Sequence, residues 1–218
     1  MILAMRLIRS GKFKRALVTG ADVLSKFIVS GFQSFQSLSE QACRPFDKSR
    51  DGLSLGEGVG TLVISREIGE VELVEGAISN DANHISGPSR TGEGLLVSIQ
   101  HTLDNNTVDL ISAHGTATPY NDDMESLAFS RAGLEKVAVN SLKGYFGHTL
   151  GAAGIIESII NIEAMKQHTI VGTAGLSEIG LAKNINVVDH TMHAEHNSIL
   201  KTASGFGGCN ASVLIRKS

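Results

Sequence analysis

Apolar positions along this chain follow two rhythms, one with the period of a strand and one with the period of a helix. Residues 2–9 (ILAMRLIR) keep a helical rhythm that stops at Ser10 and Gly11, where a glycine can end the helix. This helix has no capping residue before it, so the chain reads as starting inside an element. A buried strand is expected at 16–19, then a mixed segment at 26–43 and a glycine-punctuated stretch at 45–60 that leads into a strand at 61–65. Residues 67–70 (EIGE) read as a linker, and 71–79 as a longer strand.

The second half alternates strand and helix. Leu95, Leu96, Ile99 and Leu103 share a helical face, and 108–114 reads as a strand. Asn121 or Asp122 can cap a helix carrying Met124, Leu127 and Ala128. Another strand is expected at 137–141. A helix at 154–167 has Ile155, Ile159 and Ile162 on one stripe and Ile156 and Ile160 beside it, which suits burial on two sides. The chain ends in a hairpin, 199–203 and 211–215, around a turn at 205–208. Such alternation predicts an α/β layered fold.

Composition narrows the function classes. Over 218 residues, 42% hydrophobic and 19% charged residues exclude a disordered or fibrous chain. A net charge of −3 gives no drive towards nucleic acid or an anionic membrane. No apolar run approaches the ~20 residues that span a bilayer. The first residues run from apolar to basic, the reverse of a signal peptide. Cys43 and Cys209 form neither a disulfide framework nor a metal set, which makes a reducing, cytoplasmic setting the expectation. Glycine is abundant, at 24 residues, and serves tight turns or close backbone approach.

Three constellations of polar residues and glycine stand where strands end, the place where open α/β sheets bind ligands. His114, Gly115, Thr116 and Thr118 come directly after the strand residues 108–113, and taken alone they are explained more readily by a turn with ordinary hydroxyl caps. Lys143 and His148 flank a glycine-rich loop before the isoleucine helix. The positive end of that helix would keep His148 neutral and a hydrogen-bond donor. Residues 204–210 place Phe206 between glycines, either as a swinging ring beside free backbone N–H groups or as a core residue of a plain hairpin. Residues 50–58 read as a structural charged turn. His190, His193 and His196 read as a solvated loop, and neither a zinc pattern nor a phosphate-binding loop is present.

On the stretches RPFDKSRDGLSLGEGVGTLVIS (44–65), SAHGTATPYNDDMES (112–126), NSLKGYFGHTLGAAGIIES (140–158) and SGFGGCNAS (204–212), the chain resembles the β-ketoacyl-acyl-carrier-protein synthases, thiolase-fold condensing enzymes of fatty-acid and polyketide synthesis. The resemblance implies a thiolase-like layered fold, with residues 1–70 ending its first half and 71–218 forming most of its second. It implies decarboxylative Claisen condensation of an acyl thioester with malonyl carrier protein. His114 and His148 would hold the enolate, Lys143 would support them electrostatically, and Phe206 would act as gate and oxyanion donor. Thr116 and Thr118 would contact the phosphopantetheine arm, which is substrate rather than a resident cofactor; no metal is implied. Asp122 and Glu125 would be structural. An acyl carrier protein is the implied partner, with a homodimer or a heterodimer with a synthase subunit. The family's nucleophilic cysteine would fall upstream of Met1, so the chain by itself is expected to be inactive in condensation. The alternatives are a non-catalytic partner subunit like the chain-length factors, or a thiolase.

Overall fold

The computed structural model describes residues 1–84 and 87–218. Helix α1 (Ile2–Arg9) ends at Ser10, and Gly11 follows in the left-handed region at φ +81. Strands β1 (Arg15–Asp22) and β2 (Gly58–Ser65) pair antiparallel along their whole length, with α2 (Lys26–Ser34) between them in sequence. Both strands are longer than the sequence suggests. Gly58 and Gly60, which read as turn residues, lie inside β2 paired with β1, and a β-carbon at either would press on the isoleucines of a helix.

The remaining elements form the main body. They are β3 (Val71–Asn80), α3 (Glu93–Leu103), β4 (Leu110–Ser112), α4 (Pro119–Arg131), β5 (Ala138–Asn140) and the short α5 (Lys143–Phe146). After a 3-10 turn come α6 (Ala153–Lys166), β6 (Thr169–Ile170), β7 (Asn186–Val187), β8 (Met192–His193), β9 (Ser198–Gly205) and β10 (Cys209–Lys217). Six strands form one mixed sheet in the order β3-β10-β9-β4-β5-β7, antiparallel from β3 to β9 and parallel from β9 to β7. The small strands β6 and β8 pair separately.

Side chains alternate across this sheet as strand geometry requires. Ile111, Leu200 and Leu214 face Leu95, Ile99, Met124 and Phe129 of α3 and α4. Their neighbours Leu110, Ile199, Val213 and Ile215 face Ile162 and Met165 of α6. The opposite side of α6 lies against β2, where Ile155, Ile156 and Ile159 meet Gly58 and Gly60. The layers are therefore α3 with α4, the six-stranded sheet, α6, and the β1–β2 ribbon, and the isoleucine helix is buried on two sides as its sequence implies.

Three local expectations are corrected. β4 and β5 are three residues long, because the backbone leaves the sheet after Ser112 and Asn140 to build the loops described below. Helix α4 starts at Pro119 after Thr118, so Asn121 and Asp122 lie inside it rather than capping it; proline is pre-set for a first helical position. Of the three spaced histidines, His190 and His193 are exposed, but His196 is buried with Nδ1 3.2 Å from the Ala194 carbonyl.

Candidate active site

The turn after β4 is shaped by carboxylates of α4. Glu125 accepts the backbone N–H groups of His114 (2.7 Å) and Gly115 (2.6 Å). Asp122 accepts those of Thr116 (3.0 Å) and Phe46 (2.8 Å), and the Asn121 amide donates to both acids. Gly115 has φ +42, and a β-carbon there would sit 2.4 Å from that of Ser141, so only glycine fits. Burial, then the neighbouring Glu125, pushes the Asp122 carboxyl up to about 7; burial also raises Glu125. The structural role expected for these two acids matches what their oxygens do.

Beneath this turn lies a fully buried charge cluster. The Lys143 ammonium donates to the His114 carbonyl (2.5 Å) and to Glu157 Oε1 (2.5 Å), and lies 3.4 Å from His114 Nδ1. Lys201 of β9 reaches the other oxygen of Glu157 (2.5 Å) and donates to the carbonyls of Ser112 (3.1 Å) and Ala113 (3.0 Å). Burial alone would raise the Glu157 carboxyl, but the two ammonium groups outweigh it and hold the acid below its ordinary range.

His148 is set from a different part of the chain. Its backbone bonds Ser54 and Gly56, extending a parallel bridge to Leu55. Its Nδ1 accepts the Leu150 N–H (3.1 Å), which assigns the proton to Nε2. His114, with Nδ1 facing the Lys143 ammonium, takes the same tautomer. The two rings meet edge to face with centroids 5.0 Å apart. Burial and then the Lys143 charge lower His148 to about 3, and burial drives His114 well below the ordinary imidazole value. His148 is therefore neutral as expected, but through desolvation and a cation rather than through the helix end.

The structure thus gathers His114, Lys143 and His148. Thr116 and Thr118 stand beside them on the same turn, their hydroxyls 2.8 Å apart. Phe206 lies at the β9–β10 turn and is half exposed, so it is no core residue; its ring stacks on Phe32 (5.5 Å) and meets Phe35 edge-on (5.4 Å). Cys43 is buried and donates Sγ–H to the Lys143 carbonyl (3.1 Å), whereas Cys209 is exposed. Among the described residues no three His, Cys, Asp or Glu side chains could hold a metal ion. Nor does any described helix have the length and apolarity to cross a membrane. Glu157 and Lys201 escape a sequence reading, although a charge inside an otherwise apolar helix or strand is itself a signal.

A family model for the beta-ketoacyl synthase C-terminal domain matches residues 71–177, and one for the N-terminal domain of the same family matches residues 1–68. The chain is 32% identical to 3-oxoacyl-[acyl-carrier-protein] synthase 2 of Vibrio harveyi, over 98% of this chain and 58% of that protein. It is 33% identical to the protein of the same name from Rhizobium meliloti, over 98% of this chain and 56% of that one. Among solved structures, a ketosynthase from Xenorhabdus doucetiae in complex with its chain length factor superposes with a TM-score of 0.93 at 32% identity, covering 100% of this chain and 56% of that one. A beta-ketoacyl synthase from Burkholderia phymatum gives 0.94 at 30% identity, covering 99% and 58%. The chain spans a little over half the length of the relatives it matches.

Proposed function

Because this chain belongs to the beta-ketoacyl synthase family, we propose that His114 and His148 decarboxylate a malonyl thioester and hold the enolate that remains. This is the step that generates the carbon nucleophile of a decarboxylative Claisen condensation. The bond between the α-carbon and the carboxylate breaks, carbon dioxide leaves, and the electron pair passes into the thioester as an enolate. The negative charge that develops on the thioester oxygen is met by two Nε2–H donors already in place, where preorganised donors contribute most. The observation that carries the reading is the pair of neutral imidazoles 5.0 Å apart, each with Nδ1 already engaged.

The malonyl group would arrive on the phosphopantetheine arm of an acyl carrier protein, along the hydroxyls of Thr116 and Thr118, with Phe206 as the gate. A second synthase-type subunit, a copy of this chain or a chain-length-factor-like one, is the proposed dimer partner. The intact buried cluster favours a catalytic role over that of a non-catalytic subunit. Condensation also needs an activated acyl-carrying thiol. Cys43 is buried against a carbonyl and Cys209 is exposed at the start of β10, so these 218 residues supply the decarboxylating side alone.

The test is release of labelled carbon dioxide from carboxyl-labelled malonyl carrier protein. Slow release by the chain, reduced about 100-fold or more in both His114→Ala and His148→Ala, is expected; release unchanged in both variants rejects the assignment. No ketoacyl product should form, and an acyl label carried by Cys43 or Cys209 into such a product would overturn the division of labour.

A further inference from the structure

We propose that Lys201 is a positioning residue: by occupying one oxygen of Glu157, it leaves Lys143 free to face His114 Nδ1 and so holds His114 in the donor-ready Nε2–H form. The role rests on the decarboxylation reading only for its purpose, not for its geometry.

An ammonium group has three protons, and every one of them has a partner here. Lys143 directs its donors to the His114 carbonyl, Glu157 Oε1 and the His114 ring nitrogen, the last and longest at 3.4 Å. A lone buried carboxylate beside this lysine would draw it into a two-oxygen pair, because a charged acceptor binds more strongly than a neutral imidazole. Lys201 prevents this from the opposite side. Its ammonium holds Glu157 Oε2 at 2.5 Å and is itself anchored by the carbonyls of Ser112 and Ala113, the last residues before His114. Lys201 therefore fixes both the acid that positions Lys143 and the strand end that carries the histidine.

The residue is 3% exposed in an apolar strand, where a lysine is costly to bury unless it is fully paired. The charged groups facing His114 are Lys143 from α5, Lys201 from β9 and Glu125 from α4, with His148 opposite, and Glu157 from α6 pairs with the two lysines. Below the pair of rings the two ammonium groups share the Glu157 carboxylate, and the Glu125 carboxylate is held by the backbone of the turn above. Burial lowers the Lys201 ammonium and Glu157 opposes that shift, so its charge depends on the same carboxylate.

His148 is an internal control, because its Nδ1 is held by the Leu150 N–H and not by this cluster. The experiment is side-chain nitrogen NMR of 15N-histidine-labelled protein at pH 7. In the wild type both rings are expected as the Nε2–H tautomer alone. In Lys201→Met, His114 should become a mixture of the two tautomers while His148 stays unchanged, and Lys201→Arg should restore the single form. An unchanged His114 in a folded Lys201→Met protein overturns the proposal, as does an equal change in both histidines, which would mean general loosening. If Lys201→Met fails to fold, Lys201→Gln is the replacement. The wild-type spectrum is decisive on its own: His114 protonated on Nδ1 would exclude the geometry. Loss of the decarboxylation reading with the His114 shift intact would remove the proposed reaction and leave the role of Lys201 standing.

Discussion

At the scale of the residue, the two histidines of the site are held neutral well below the ordinary imidazole range. His148 protonates at about 3 in the folded chain and near 6.5 when unfolded. A group depressed in this way stabilises the fold fully above the unfolded value, and that contribution is lost as pH falls towards 3. At pH 5 the loss is about 2 kcal/mol for one such histidine. In His148→Gln the drop in stability between pH 7 and pH 5, measured by denaturant unfolding, should therefore be smaller by about that amount. An identical drop would mean that the imidazole is not held neutral. His114, Lys143 and His148 were legible in the sequence because they follow strands and sit among glycines. Glu157 and Lys201 were not, since each lies in a run whose apolar rhythm hides one charged position and whose partner is remote in sequence.

Between elements, polar side chains buried inside apolar layers set the alignment of helix and sheet. Asn161 of α6 donates to Ser112 Oγ in β4 (2.9 Å) and accepts from the Asn140 amide of β5 (3.0 Å), fully buried among isoleucines. Asn161→Leu takes one hydrogen bond from each strand partner, the Asn140 amide keeping only its bond to the Val171 carbonyl, and should cost about 2–4 kcal/mol, read as a lower unfolding midpoint. A midpoint equal to the wild type would mean the network carries no register. A similar test applies to the turn after β4: Gly115→Ala forces a β-carbon onto Ser141 in a left-handed backbone, and a loss of about 2 kcal/mol or more is expected in the same unfolding measurement. Helices 2–9 and 154–167 and the terminal hairpin were legible from periodicity to within a residue or a few. The three-residue strands β4 and β5 were overextended, because loop residues such as Ala113 and Ser141 are as buried as the strand itself and continue its apolar run. The shift in the α4 boundary has a similar origin: Asp122 looks like a cap by type, yet its carboxylate serves the neighbouring loop.

For the molecule as a whole, alternation of strands and helices was enough to give the α/β layering, but not the order of the strands, which depends on contacts far apart in sequence. One surface remains open. On the outer face of the β1–β2 ribbon, Leu17 lies opposite Val63, and Val59 lies nearby, each about two-thirds or more exposed. Clustered apolar side chains of this kind promote association. Light scattering at micromolar concentration should report self-association that Leu17→Lys combined with Val63→Lys reduces; a monodisperse wild-type monomer would contradict this. The wiring of the site also has a consequence in time. Phe46 reaches Asp122 across 76 residues, Cys43 reaches Lys143 across 100, and His148 is clasped by the segment around Leu55. Each of these closures must fix a long loop before any contact rewards it, and such contacts form slowly. During refolding the histidine pair should be the last feature to appear, after the β9–β10 hairpin is already complete, so a chain caught halfway would have its sheet but no chemistry.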